Sequence, residues 1–208
     1  MHPFVYLASR SPRRQELLSQ IGVEFRLLLA DDDEDAEALE AALPDEAPAS
    51  YVRRVVAAKL DAAIERMRRR ALPAAPVLVA DTTVALGGTM LAKPATPEEA
   101  TRMLLRLAGR THRVLTAVGV AQASRREFAV NVSRVTFRRL GAAEVASYVA
   151  SGEPFDKAGG YGIQGPAGAF ARRIEGSYSG IMGLPLYETA RLLRGAVRGV
   201  HPGTPERS

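Results

Sequence analysis

No cysteine and no tryptophan occur among the 208 residues, and histidine appears three times. Without cysteine the chain has no disulfide framework, no thiol nucleophile and no thiolate zinc site, in keeping with a reducing compartment. His2, His112 and His201 stand far apart with no ligand spacing between them, so a metal must be held by oxygen and be a hard ion, Mg²⁺ or Mn²⁺. Aromatic residues make up 6% and are not interleaved with the basic ones, as a single-strand nucleic-acid platform requires. No apolar run approaches a membrane span and no basic-then-apolar leader opens the chain, so a cytoplasmic location is expected. There is no Gly-x-x-x-x-Gly-Lys-Ser/Thr loop and no Gly-x-Gly-x-x-Gly at a strand-to-helix turn, which argues against a P-loop NTPase and a dinucleotide-binding fold.

What is present suits an α/β protein. A hydrophobic content of 47% is ample for a core, and the length fits one large domain or two small lobes. The 28 basic against 23 acidic residues would attract an anionic small molecule or nucleic acid equally well. Residues 4–8, 12–20 and 23–29 read as strand, helix and strand, which implies a parallel pairing. After an acidic segment at 31–35, a long helix starts near Pro48 with Val52, Val55, Val56, Leu60, Ala63, Ile64 and Met67 on one stripe. Lys59 lies on that stripe, while Arg66 and Arg68, Arg69 and Arg70 gather at the C-terminal end, where the helix dipole favours them.

Farther along, residues 77–80 read as a short strand ending at Asp81-Thr82-Thr83, and residues 84–92 fold back at Gly87-Gly88 as a hairpin. Thr96-Pro97-Glu98-Glu99 is a capping box opening a helix closed by Gly109. Two long strands follow at 111–121 and 127–138. In the second, apolar parity passes from Phe128, Val130 and Val132 to Val135 and Phe137, implying a bulge near Ser133-Arg134. A helix at 142–149 precedes a stretch at 156–165 with too many glycines for a regular element, a candidate ligand loop. A strand at 169–174 and a helix at 186–194 complete one domain over residues 1–198 with two lobes, and residues 199–208 read as a disordered tail.

Residues 9–14, Ser9-Arg10-Ser11-Pro12-Arg13-Arg14, put hydroxyls and guanidinium forks at a helix N-terminus, a favourable place for an anion. The same residues also read as a serine cap with two solvated arginines. An inward Lys59 either snorkels or meets an anion in a cleft. Together, the cations Arg13, Arg14, Lys59 and Lys93, the carboxylates Asp33, Glu34 and Asp81 and a glycine loop carrying Gln164 are the parts of a triphosphate site. The cations neutralise phosphate oxygens, two or three carboxylates hold a hard divalent ion, and one orients or deprotonates a water. Asp33 and Glu34 read individually as either solvated or metal-organising, and Asp156-Lys157 reads equally as a structural ion pair.

On these residues the chain resembles the Maf family of nucleotide pyrophosphatases, whose fold is related to that of inosine triphosphate pyrophosphatases. The markers are Leu7-Ala8-Ser9-Arg10-Ser11-Pro12-Arg13-Arg14, Asp33-Glu34, Tyr51-Val52 with Arg54 and Lys59, Ala80-Asp81-Thr82 and Lys93-Pro94. They continue with Ala108-Gly109, Thr111-His112, Val135-Thr136-Phe137-Arg138, Asp156-Lys157-Ala158-Gly159, Tyr161-Gly162-Ile163-Gln164-Gly165 and Gly183-Leu184-Pro185. The resemblance implies a central mixed twisted sheet with flanking helices and a substrate cleft between two lobes. It implies metal-dependent cleavage of a nucleoside triphosphate between the α and β phosphates, with Asp81 catalytic and Ser9, Arg13, Arg14, Lys59 and Lys93 around the phosphates. A homodimer also goes with the family.

Arg13, Thr82 and Gln164 match the branch acting on dTTP and UTP, where the 7-methyl-GTP branch has Trp, Gln and Glu. A glutamine amide can donate to a carbonyl and accept from an N–H on a pyrimidine edge. Such an enzyme would keep unwanted nucleotides out of nucleic acids. The alternatives are a 7-methyl-GTP pyrophosphatase and a non-enzymatic nucleic-acid-binding regulator of septum formation. Val55-Val56-Ala57-Ala58 before Lys59, and Gly160 where alanine is usual, depart from the family without removing a functional group.

Overall fold

Strand β1, Val5–Leu7, is buried on both sides, with Val5 and Leu7 facing one core and Tyr6 the other, as the two-residue period of a strand requires. In this computed structural model, which describes residues 1–31, 34 and 38–197, helix α1 (Pro12–Gln20) returns the chain to β2 (Phe25–Leu27), parallel to β1. Helix α2 (Pro48–Arg69) leads to β3 (Val77–Leu86), parallel to β1 on its other side. From there pairing is antiparallel: β4 (Thr89–Leu91) doubles back on β3, and β5 (Thr111–Gln122), β6 (Arg125–Phe137) and β7 (Ala171–Glu175) extend the sheet. The seven strands run in the order β2-β1-β3-β5-β6-β7, with β4 on the edge of β3. Asp33 and the expected tail at 199–208 lie outside the described residues. Among the described residues no helix is long and apolar enough to cross a membrane.

Each face of the sheet carries its own core. Val52, Val56, Leu60 and Ala63 of α2 pack on Tyr6, Val79, Leu115 and Ala117. The opposite core gathers Leu17 and Leu18 of α1, Leu104 and Leu107 of α3 (Pro97–Leu107), Val145 and Val149 of α4 (Ala142–Ala150), Ile181 of α5 (Tyr178–Met182) and Leu193 of α6 (Leu186–Leu193). Thr96 caps α3 by accepting from the Glu99 N–H at 3.3 Å, while the Glu99 carboxylate reaches back to the Ala95 N–H at 2.8 Å.

Three local expectations need correction. Strand β3 does not stop at Ala80: it pairs with β5 without a break from Val77↔Ala121 to Ala85↔Arg113, so Asp81 lies in mid-strand. On its other edge, β1 pairs only up to Leu78 and β4 only from Val84. Among the described residues, 79–83 therefore have no strand partner there, and the ends of β1 and β4 both deliver their following loops to that opening.

There is also no bulge at Ser133-Arg134. The β5–β6 register is unbroken from Thr111↔Thr136 to Gln122↔Arg125, and the one shift, between Thr136 and Phe137, faces β7. Apolar residues occupy both parities because the two faces of β6 are different surfaces. Val130 packs on the α2 core and Phe128 and Val132 are exposed, while Ala129, Ser133, Val135 and Phe137 are buried on the other side. Arg66, grouped by sequence with the exposed arginines, is instead buried.

The glycine stretch is pinned rather than loose. Gly159, in a 3₁₀ turn (Ala158–Gly160), has φ 77°, donates its N–H to the Ala92 carbonyl at 3.2 Å, and would bring a Cβ to 3.0 Å from Val84. Both the φ and the space demand glycine. Tyr161 next to it is buried and its hydroxyl lies 2.7 Å from Nε2 of the buried His112, whose ring meets Phe137 and Tyr161 edge-on.

Burial pushes the His112 imidazole down to about 4. The unfolded chain, with an ordinary histidine near 6.5, then binds more protons between those values, so stability rises with pH through the window. The contribution is complete above about 6.5 and is lost as pH falls toward 4, by about 3 kcal/mol at the lower end. Chemical denaturation from pH 7.5 to 4 should show this fall, and His112→Gln should flatten it; an equal slope in both proteins would contradict the assignment.

Candidate active site

A cluster of linked charges gathers at the open edge of β3. Asp81, at 6% exposure, faces the α2 side, and its Oδ1 accepts from the Lys59 ammonium at 2.7 Å. Lys59 reaches it because it shares a helix face with Val52, Val55, Val56 and Ala63, all wholly buried. The same ammonium donates to Glu40 Oε1 at 2.7 Å, and Lys93, just beyond β4, donates to Glu40 Oε2 at 2.9 Å. Two carboxylates thus share one lysine, and two lysines share one carboxylate. Burial works to raise the Glu40 carboxyl, but Lys59 and Lys93 outweigh it and hold it below its ordinary value. The Tyr51 hydroxyl donates to the Glu40 carbonyl at 2.9 Å, and is itself pushed up to about 12 by burial and by the charges of Asp81 and Glu40.

Thr82 points to the other face of β3, where α1 meets it. The Arg14 guanidinium donates to the Gly183 carbonyl at 2.8 Å, to Ser9 Oγ at 3.2 Å and, at the limit of hydrogen bonding, to Thr82 Oγ1 at 3.5 Å. Thr116 Oγ1 gives its one proton to the Gly180 carbonyl at 2.7 Å, so at its 3.0 Å contact with Thr82 it is the acceptor and Thr82 the donor. The lone pairs of Thr82 are thereby left toward Arg14. Burial lowers the Arg14 guanidinium from its ordinary value, Asp81 raises it and Arg13 lowers it, so Arg14, Arg13 and Asp81 lie in one electrostatic neighbourhood. Ser11 makes no side-chain cap. Its N–H is met instead by Ser9 Oγ at 3.2 Å, which folds the loop back beneath Arg14.

Not every candidate joins this cluster. Glu34 accepts from Arg66 Nε at 2.9 Å and from Arg69 at 2.7 Å, and Asp31 also pairs with Arg69 and Arg70. Arg66 is seven residues beyond Lys59, about 10 Å along the helix, so Glu34 belongs to a separate ionic cluster. Arg66, ahead of the opposing effect of burial, holds Glu34 down at about 2. Among the described residues no group of three or more His, Cys, Asp or Glu is disposed to hold a metal by itself. Gln164 is exposed and makes no hydrogen bond among the described residues. Lys157 bonds Asp156 Oδ1 at 2.8 Å and the Glu153 carbonyl at 2.7 Å.

The residue missed by sequence reasoning is Glu40. It lies in a single 3₁₀ turn (Ala38–Glu40) outside any periodic pattern, and only the tertiary fold brings it to the lysines. Arg66 could have been found, because at seven residues from Lys59 it lies on the same helix face.

An α/β sheet parted at one strand, with cations, hydroxyls and paired carboxylates converging on the parting, defines a protein that binds and works on a polyanion. The Maf-like protein model matches residues 4–196, and the chain belongs to that family. The dTTP/UTP pyrophosphatase of Cupriavidus pinatubonensis is 61% identical over 196 residues, covering 94% of this chain and 98% of that one. The proteins of the same name from Ralstonia nicotianae and Burkholderia pseudomallei are 62% and 59% identical, over 92% and 94% of this chain and 93% and 94% of theirs. The Staphylococcus aureus Ham1 protein structure aligns over 64% of this chain and 71% of its own at TM-score 0.40 and 13% identity, too slight a likeness to build on.

The cluster predicts how an inorganic polyanion binds. Removing Lys59 leaves Asp81 and Glu40 facing each other and an incoming phosphate without their shared cation, whereas the Lys93 side chain is 53% exposed and better screened. The Kd of tripolyphosphate, measured by calorimetry, should rise about tenfold or more in Lys59→Ala and less in Lys93→Ala. Unchanged binding in both would separate the lysines from the anion site.

Proposed function

We propose that the protein is a nucleoside triphosphate pyrophosphatase that hydrolyses dTTP and UTP to the monophosphate and pyrophosphate. The observation that carries this reading is the Lys59 ammonium shared by Asp81 and Glu40 at the open edge of β3, in a chain whose curated relatives of about 60% identity bear that name. The triphosphate displaces Glu40 from Lys59 and Lys93, which take up the charge of the β and γ phosphates. Ser9, Arg13 and Arg14 hold the tail from the α1 side. Asp81, freed from part of its ion pair, orients and deprotonates the water that attacks the α phosphorus, and pyrophosphate leaves toward the lysines. Arg13, Thr82 and Gln164 select the pyrimidine.

A divalent cation, Mg²⁺ or Mn²⁺, is part of the proposal. Asp81 and Glu40 supply the hard oxygen donors, and such ions commonly use one or two carboxylates together with substrate phosphates. Glu40 thus takes the place expected of Glu34, which lies in the separate cluster around Arg66. When bound, the ion supplies Lewis-acid polarisation of a phosphoryl oxygen.

Asp81→Asn removes the base but leaves the cationic cradle, so kcat for UTP should fall by at least about three orders of magnitude, roughly 4 kcal/mol, while nucleotide affinity stays within about threefold. Pyrophosphate and UMP release across a panel of nucleoside triphosphates checks both claims. Near-wild-type turnover in this variant would reject the mechanism, and no turnover of dTTP or UTP by the wild type would reject the function.

A further inference from the structure

Gly162 and Gly165 are not glycines for conformational reasons. Neither has positive φ, and Gly165 lies at φ −93°. What crowds both is a side chain. A Cβ on Gly162 would stand 2.8 Å from Glu153 Oε1, and one on Gly165 would overlap the carboxylate, with Glu153 Cδ only 2.6 Å away. The loop that carries Gln164 is therefore moulded around the Glu153 carboxylate.

That carboxylate has no cation. Among the described residues it forms no ion pair, and the adjacent Lys157 ammonium is occupied by Asp156 and by the Glu153 backbone carbonyl. The Tyr148 hydroxyl, which accepts the Gly162 N–H at 3.2 Å, lies close enough to feel the carboxylate's charge. Tyr148, Tyr161 and Ile163 share a core with Leu17 and Leu18 of α1, so the cradle lies on the face of the sheet where Arg14 meets Thr82. A half-buried carboxylate with no ion pair among the described residues keeps lone pairs in want of a neutral N–H donor.

We propose that Glu153 reads the base, accepting a hydrogen bond from the N3–H of the uracil or thymine ring. This deepens the pyrophosphatase reading and rests on it. Uracil and thymine share one edge, an N–H between two carbonyls, and the thymine methyl lies off that edge. Cytosine presents a lone pair at N3, which a carboxylate repels. One acceptor thus admits both dTTP and UTP and rejects CTP. Tyr148 and the two glycines hold it in place, and Gln164 lies between those glycines to meet a flanking carbonyl.

The test is the UTP-over-CTP ratio, a quantity that general loss of structure does not move selectively. Glu153→Gln keeps the shape but supplies an amide that can turn its NH₂ to cytosine, so the kcat/KM ratio should fall at least tenfold. Gly165→Ala, which displaces the carboxylate without removing it, should lower the ratio in the same direction with Tm nearly unchanged. It carries the test should Glu153→Gln fail to fold. The Kd ratio for α,β-methylene UTP and CTP gives the same comparison without turnover. A ratio within twofold of wild type in the folded variants overturns the assignment. Wild-type protein that turns over neither nucleotide defeats the pyrophosphatase reading instead, and the analogue Kd ratio then judges Glu153 separately.

Discussion

A lysine held between two carboxylates, one on a central strand and one on a short turn, is the constraint on which the site depends. Lys59 is pulled inward by the apolar face of α2, and Asp81 is fixed by the unbroken pairing of β3 with β5. Neither charge could be buried alone, since desolvation of an unpaired ion costs several kcal/mol. Their 2.7 Å contact resolves that cost and at the same time ties α2 to the sheet at the opening. Glu40 completes the neutralisation and draws in Lys93 from beyond β4. Four charges from four separate segments thereby depend on one another. Under the proposed reading a polyanion exchanges its oxygens for those of Glu40, so the resting arrangement resembles the bound one in charge.

Much of this was legible in the sequence, and the failures have physical causes. The inward direction of Lys59 follows from the 3.6-residue period of a long amphipathic helix, the most regular signal in the chain. The limits of α1 came out at Pro12–Gln20 because a proline opens it and a glycine lies two residues past its end. Strand β3 was read as ending at Ala80 because an aspartate followed by two threonines imitates turn chemistry. Its extension to Leu86 is imposed from outside, by nine residues of pairing with β5. The imagined bulge in β6 arose because both parities are apolar, and parity is informative only when one face is buried. Glu40 was invisible because nothing local distinguishes it from its acidic neighbours. A partner nineteen residues away in sequence is a property of the fold.

The arginines show how burial divides residues of one type. The partly buried Arg14 and the buried Arg66 each meet oxygen acceptors, Arg14 the Gly183 carbonyl and Ser9, Arg66 the Leu28 carbonyl and Glu34. Both use the fixed fork of the planar guanidinium to reach acceptors from different segments at once. Arg66 spends its charge on Glu34 and so becomes structural. Arg14 meets only neutral oxygens among its hydrogen-bond partners, and its charge remains available to an anion. Charge left without a counter-charge thus separates a ligand-binding arginine from one that holds the fold.

The parity of β3 divides the labour of the site. Successive residues of a strand face opposite ways, so Asp81 looks toward α2 and its ion pairs while Thr82 looks toward α1, Arg14 and Thr116. Within a closed sheet these faces would be sealed from each other. Here β1 ends before residue 79 and β4 begins pairing only at residue 84, so both faces open at one edge, and a single extended ligand lying across that edge can touch both. Under the proposed reading, the phosphates meet Lys59 and Asp81 on one side and Ser9, Arg13 and Arg14 on the other, where Thr82 and the glycine loop receive the nucleoside end. Recognition can then vary at Thr82 or in the loop without disturbing the ion pair next door. The fold needs only one unpaired stretch of strand to keep chemistry and selectivity adjacent yet separately adjustable.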